Sequence, residues 1–300
     1  MPALTLLTPR DLEILTALDR TPLTAEQLLK LSRTFPRPFG SDRMVRERLQ
    51  SLVAARWVRC AHYATASSGA SPKYYFLSRT GFHVLYGEAA EPPTKRLFSP
   101  LGIARHHHSR ALADFVTHTL VAAHQAGVAF TTFYRENTLR ISIGDECLYP
   151  DCSFQLLLPD GRAFNYLVEL DNGTERICSQ HDTDSWDRKL RLYNRLQELA
   201  DERFRVLVVA TRSPLRLRHI LAWAATVTPN PLRTLVCGVG LAEYLSHDCP
   251  LHTACFRNHW EQPVSLLPDY LHHHNAEVPA TPNSWPQQAE RATVENLSCV

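Results

Sequence analysis

The sequence predicts an α+β protein of two domains, and three observations lead there. Its 300 residues are about twice the length of a common single domain. The first third reads as three short helices followed by a strand pair, and the middle as strands that give way to alternating helix and strand. The charge is split as well: residues 1–88 carry 12 Lys+Arg against 7 Asp+Glu, or +5, and residues 89–300 carry 20 against 23, or −3. A basic head on a mildly acidic body suits a module that reads a polyanion. At 44% apolar and 21% charged residues the chain falls outside the disordered and fibrous classes. No run of about 18 apolar residues is present, so no membrane partner is expected. Met1 to Arg10 has no basic segment leading into an apolar stretch, and the eight cysteines form no Cys-x-x-Cys pair. The expected location is the cytoplasm, with reduced thiols.

Thr8 and Pro9 stand at N-cap and first-turn positions of a first helix, whose apolar face is Leu12, Ile14, Leu15 and Leu18. Thr24 with Gln27 forms a capping box that opens a short helix, Ala25 to Leu31. Ser41 caps a third, Asp42 to Ala55, with an apolar stripe of Met44, Val45, Leu49, Leu52 and Val53 and an opposite face of Arg43, Arg46, Arg48 and Gln50. Strands over Trp57–His62 and Lys73–Leu77 flank a tip of small residues, and a closing helix covers Arg79 to Leu85. Three helices and a basic hairpin in this order predict a winged helix-turn-helix. Arg43, Arg46, Arg48 and Gln50 are its candidate double-stranded DNA contacts, with Lys73 on the phosphates from the wing. This domain spans 1–88, and the proline-bearing segment 89–102 reads as a linker.

The second domain, 103–245, opens with a helix from Arg105 to Gln125 that Gly127 stops. Strands follow at Val128–Arg135, Leu139–Ile143, Cys152–Leu158 and Arg162–Leu170, the last two joined by the turn Pro159-Asp160-Gly161. Then come a helix (Thr183–Ala200), a strand (Phe204–Ala210), a helix (Pro214–Ala225) and a strand (Thr234–Val239), an α/β pattern with a mixed central sheet. Residues 246–300 read as a C-terminal extension, disordered from about 276.

The chemistry lies in Pro150-Asp151 and Glu169-Leu170-Asp171. If the hairpin turns about Asp160, positions i and 320−i face each other, which places Asp151 opposite Glu169 with Cβ atoms roughly 5 Å apart. Asp171 leaves the same strand face as Glu169. Three converging carboxylates repel unless a cation neutralises them, and oxygen ligands select Mg²⁺ or Mn²⁺. Glu136 is a further acid from the preceding segment. The spacing Cys249, His252, Cys255, His259, with His247 beside it, invites a zinc reading, but Pro250 interrupts it and no paired Cys-x-x-Cys frames it. Neither phosphate-binding glycine motif is present, so nucleotide binding is not supported by motif.

Asp151, seventeen residues, then Glu-x-Asp resembles the active-site hairpin of the PD-(D/E)XK nuclease superfamily. More narrowly, the chain resembles bacterial replication-relaxation proteins. The likeness rests on Arg105-His-His-His-Ser-Arg-Ala-Leu-Ala-Asp-Phe115, Leu148-Tyr-Pro-Asp-Cys-Ser-Phe154, Val168-Glu-Leu-Asp-Asn-Gly-Thr-Glu175 and Lys189 with Tyr193, with the winged helix in front. The resemblance implies a restriction-endonuclease-like α/β domain and a role in plasmid or chromosomal DNA replication, relaxation or mobilisation. It implies that Asp151 and Glu169 hold metal, and that a lysine assists the attacking water. Asp171 occupies that lysine's place, and Lys189, 18 residues on, is the candidate replacement, with Arg188 and Arg191 near it as phosphate binders. Three readings stay open: an active nuclease-like site or a degenerate one, a winged-helix transcriptional regulator whose second domain forms a homodimer or senses a ligand, and a protein-interaction module.

Overall fold

The computed structural model describes residues 7–64, 71–92, 95–178, 185–228, 230 and 233–268. It is α+β and divides into two compact units, residues 1–121 and 122–300. The division falls inside the long helix that the sequence assigns to the second domain, beyond the proline-bearing segment 89–102. The tip at 65–70 and the tail from about 276 lie outside the described residues, as do His272, His273 and His274, a run that suggests metal by composition.

In the first unit, α1 (Pro9–Arg20) starts on Thr8, whose side chain caps Asp11 while Asp11 reaches back to the Thr8 backbone. Ile14, Leu15 and Leu18 are buried as expected, but Leu12 is exposed. β1 (Leu23–Thr24) leads into α2 (Ala25–Leu31), closed by the reciprocal Thr24–Gln27 capping box. α3 (Asp42–Ala54) buries Val45, Leu49 and Leu52 and leaves Met44 exposed. The apolar stripe is thus narrower than the sequence pattern drew it. β2 (Val58–His62) and β3 (Lys73–Leu77) pair antiparallel, and β1 joins the other edge of β3, giving the order β1-β3-β2. β1 was too short to read from periodicity. α4 (Arg79–Tyr86) packs so closely that a Cβ on Gly81 would sit 2.0 Å from the Trp57 carbonyl oxygen.

α5 (His106–Gln125) ends at Gly127, which takes a left-handed backbone with φ of 66°. The second unit is built on a seven-stranded mixed sheet. β4 (Ala129–Tyr134) pairs antiparallel with β7 (Cys152–Leu157), and β7 with β8 (Ala163–Asp171). β9 (Phe204–Ala210) and β10 (Val236–Gly240) continue parallel to β8. β5 (Ile141–Ile143) and β6 (Glu146–Leu148) form a separate two-stranded ribbon. The parallel strands are linked by α6 (Trp186–Leu199) and α7 (Pro214–Val227), and α8 (Leu241–Ser246) follows β10. β11 (Phe256–Asn258) and β12 (Pro263–Val264) complete the order β12-β11-β10-β9-β8-β7-β4. Two short strands within the segment read as a C-terminal extension thus add to the sheet; they carry no alternation long enough to register as strands.

Leu167 of β8 and Val206, Val208 and Ala210 of β9 face Trp186, Leu190 and Tyr193 of α6 and Leu217 and Ile220 of α7 in one buried cluster. Alternation along β8 then sends Glu169 and Asp171 to this same helix-covered face. On the other face Phe154 stacks on Phe130 at 4.8 Å and meets Tyr166 at 5.1 Å.

Candidate active site

The β7–β8 pair brings the acids together. Cys152 lies opposite Val168, a sum of 320, so the register is the one the turn at Asp160 requires. One step beyond, the Asp151 backbone N–H donates to the Val168 carbonyl at 2.9 Å, and Asp151 Oδ2 accepts the Leu170 N–H at 2.7 Å. Asp151 and Glu169 are thereby held at one end of the hairpin. Carboxylate oxygens of Glu136 and Asp151 lie within 4.8 Å of each other.

Glu169 is 2% exposed. Its Oε1 accepts the Tyr193 hydroxyl at 2.5 Å and its Oε2 accepts Lys189 Nζ at 3.0 Å. Lys189 and Tyr193 are four apart on α6 and so share one helix face. Lys189 also donates to Glu175 Oε1 at 2.9 Å and stands over the Trp186 ring. Burial drives the Glu169 carboxyl up to about 7; the Lys189 charge opposes this and the Asp151 charge adds to it. For Lys189 burial acts downward, but Glu169 and Glu175 outweigh it and hold the ammonium above its ordinary range. Burial, then the neighbouring Glu169 charge, raises Tyr193 far above a free phenol, so it is a hydrogen-bond donor here. Burial also raises Glu175.

Asp171 is on the same strand face but in a different pairing. Arg216 Nε, from the first turn of α7, reaches both its oxygens at 2.9 and 2.8 Å, and Trp186 Nε1 donates to it at 3.3 Å. Arg216 also donates to the Glu175 carbonyl, tying the loop after β8 to the strand end. Sequence reasoning grouped Asp171 with Asp151 and Glu169; the structure brings the latter two together and holds Asp171 on Arg216. Trp186 and Arg216 had no role in the sequence reading, and Glu175 entered it only as the end of the Val168–Glu175 stretch. The i, i+4 relation of Lys189 to Tyr193 was the available signal for Tyr193, whereas nothing local marks Arg216, 45 residues from Asp171. Arg188 and Arg191 pair with Glu146 and Asp187, at 3.1 and 2.9 Å.

The donor set fits a hard cation. Asp151, Glu169 and Glu175 offer carboxylate oxygens, and Glu175 Oε2 is buried with no hydrogen-bond partner. Glu169, Glu175 and Asp151 all act on one ammonium, that of Lys189. His247, Cys249, His252, Cys255 and His259 do not gather three ligand atoms among the described residues; His259 is buried, with Nδ1 3.3 Å from the Val236 carbonyl oxygen.

In the first unit, Arg43 and Arg46 are exposed and make one-turn ion pairs with Glu47 and Asp42. Gln50 and Lys73 are exposed. Arg48 differs: it bridges to α1, its Nε 2.6 Å from Asp11 Oδ1 and its terminal nitrogen on Oδ2, and the Asp11 side chain is fully buried.

The replication-relaxation family model matches residues 15–206, which include the acidic cluster and the α3 face. The chain belongs to the replication-relaxation family. Membership ties it to DNA replication and relaxation. No curated protein and no solved structure matches it. Within this replication-relaxation protein, no helix among the described residues is long and apolar enough to cross a membrane.

Proposed function

We propose that this replication-relaxation protein binds double-stranded DNA through a winged helix-turn-helix and carries a metal-dependent phosphodiester-cleaving site of PD-(D/E)XK type in its second unit. The order α5-β4-β7-β8-α6-β9 supports the nuclease-like reading, as do acids at the end of a hairpin beside parallel strands. The observation that carries it is the 3.0 Å approach of Lys189 Nζ to Glu169 Oε2. A helix-borne ammonium stands at the acid pair whose strand lacks the motif's lysine.

In this reading Asp151 and Glu169 hold Mg²⁺ or Mn²⁺, with Glu175 Oε2 and Glu136 as further oxygens. Asp171 is assigned to Arg216, whose guanidinium bears on both its oxygens, and not to the metal. A bound divalent ion supplies charge against the scissile phosphate and acidifies water. Lys189 orients that water and offsets charge on the phosphoryl oxygens. Tyr193 fixes the Glu169 carboxylate by its short hydrogen bond, and Arg216 positions the loop that carries Glu175.

For DNA binding, the exposed basic face of α3 assigns Arg43, Arg46 and Gln50 to the major groove, with Lys73 on the backbone. Arg48 is assigned to the Asp11 ion pair. The test is nicking of supercoiled plasmid with Mn²⁺ or Mg²⁺. The expected result is cleavage lost in Asp151→Ala and Glu169→Ala. A mobility shift that needs Arg46 without any cleavage would leave DNA binding and remove the nuclease assignment.

A further inference from the structure

A second polar concentration lies at the other end of the sheet, where β8 and β9 begin. A cleft of about 390 Å³ opens there, bordered by Arg203, Arg205 and Arg233 with Phe164 and Phe204. No carboxylate lines it. An adjoining cavity of about 270 Å³ shares Gln197, Arg203 and Arg233 and has Asp201 on its wall. We propose that this cleft binds a phosphorylated nucleotide, at a site separate from the acidic cluster.

The wall is built rather than fortuitous. Gln197 Oε1 accepts the Phe204 N–H at 3.1 Å and its Nε2 donates to the Glu202 carbonyl at 3.2 Å, which pins α6 to the start of β9. Asn165 donates to the Arg203 carbonyl at 3.2 Å and accepts Gln155 Nε2 at 2.9 Å. The backbone carrying two of the three arginines is therefore fixed. Arg205 spends one nitrogen on the Ser265 carbonyl at 3.1 Å, which orients its guanidinium. Neither Arg203 nor Arg233 has an ion-pair or side-chain hydrogen-bond partner among the described residues. Arginine forks match phosphate oxygens bidentately, and the carboxylates beside the cleft stand at its flank: Glu202 Oε2 accepts the Asn165 amide N–H at 3.3 Å and Asp201 is on the wall of the adjoining cavity.

One aromatic ring sets the rest of the ligand, since Phe204 is buried in the core. Phe164 is half-buried, so part of its ring remains available to a sugar or base. Cationic rim and aromatic floor together select a phosphate ester with a planar organic part over a bare anion. Along β8, Asn165 precedes Glu169 by four residues, about 13 Å of strand. That ligand is either a free nucleotide or a nucleotide within a DNA strand that also passes the acidic site.

The test is titration of the full chain by calorimetry with a 5′-deoxymononucleotide, with inorganic phosphate, and with a short single-stranded oligonucleotide. The comparison is between wild type, the Arg203→Ala/Arg233→Ala double variant, and Arg218→Ala, an exposed arginine on α7. Affinity is expected to fall about tenfold or more in the double variant, which loses two charge-assisted contacts, and to hold in Arg218→Ala. Loss with the mononucleotide identifies a free-nucleotide site. Loss with the oligonucleotide alone identifies a strand contact. Inorganic phosphate binding as tightly as the mononucleotide removes the aromatic floor from the proposal and overturns it. Equal affinity of wild type and double variant for every probe, or an equal loss in Arg218→Ala, overturns it too. Because Asp151→Ala leaves these arginines untouched, failure here and failure of the nuclease reading are separately visible.

Discussion

Lys189→Met isolates the electrostatics of the acidic site. Its side chain is 17% exposed and that of Glu169 is 3% exposed, so the pair is effectively interior. Methionine keeps the stem's packing and removes the ammonium. Glu169 is then left with the Tyr193 hydroxyl alone, while Asp151 still repels it. Breaking one side of a buried pair costs about 3–5 kcal/mol, and residual access to water places this case near 3. For a unit of this size that lowers the melting midpoint by about 6–12 °C. The pH dependence gives the sign. Glu169 rises from an ordinary 4.5 to about 7, so its contribution favours folding below 4.5 and is lost as pH climbs through 7. Below 4.5 the carboxyl is protonated in both folded and unfolded chain, and the missing ammonium matters little. Without the ammonium, which lowers it, the carboxyl titrates above 7, so the penalty keeps growing as pH rises past that point. Thermal melts in EDTA, followed by far-UV circular dichroism at about pH 5 and about pH 8, should therefore show the deficit growing with pH. Adding Glu169→Gln to Lys189→Met should recover most of it at the higher pH. A midpoint within about 2 °C of wild type at the higher pH, or a deficit independent of pH, would refute the reasoning.

Arg48→Met should destabilise the first unit by about 2–3 kcal/mol, since it strands the fully buried Asp11 carboxylate on its Thr8 contacts alone, and urea denaturation would measure this. Arg46→Ala, by contrast, breaks only an exposed one-turn pair and should leave the unfolding free energy in urea within about 0.5 kcal/mol of wild type while weakening DNA binding in a mobility shift by about 1–3 kcal/mol. Gly81→Ala should cost about 3 kcal/mol, because its new methyl meets the Trp57 backbone carbonyl, which cannot yield as a side-chain end would; a thermal melt like that of wild type would mean α4 is free to shift.

Most of the fold was legible because its signals are local. Capping residues fixed the starts of α1, α2 and α3, and a glycine with positive φ marked the stop of α5. The Asp160 turn set the β7–β8 register and with it the Asp151–Glu169 neighbourhood. What failed was non-local. β1, β11 and β12 are two or three residues long and exist only because a longer strand offers them an edge. The ion pair of Arg48 was equally invisible, because its partner sits 37 residues away on α1. Met44 and Leu12 fit an apolar stripe whose true width is decided by how much neighbouring surface arrives to cover it. Lys189 was legible only as a candidate, since nothing in its local sequence says that α6 crosses β8 at Glu169.

That crossing also explains why the aspartate at position 171 is more than a lost lysine. Glu169 and Asp171 leave one strand face two residues apart, and each has its own cation from a different helix: Lys189 from α6 and Arg216 from α7. Restoring the strand lysine by Asp171→Lys would set an ammonium against the Arg216 guanidinium in a place where the present side chains are 3% and 19% exposed. It would also release the arginine that ties the Glu175 loop. Loss of a buried partner together with a new like-charge contact should cost at least about 3 kcal/mol. Plasmid nicking should fall rather than rise, because the loop oxygens move while the Lys189–Glu169 contact gains nothing. Thermal melts and nicking assays on Asp171→Lys test this together. A variant that melts like wild type and cleaves faster would mean that position 171 faces the phosphate and that the Arg216 pairing is dispensable.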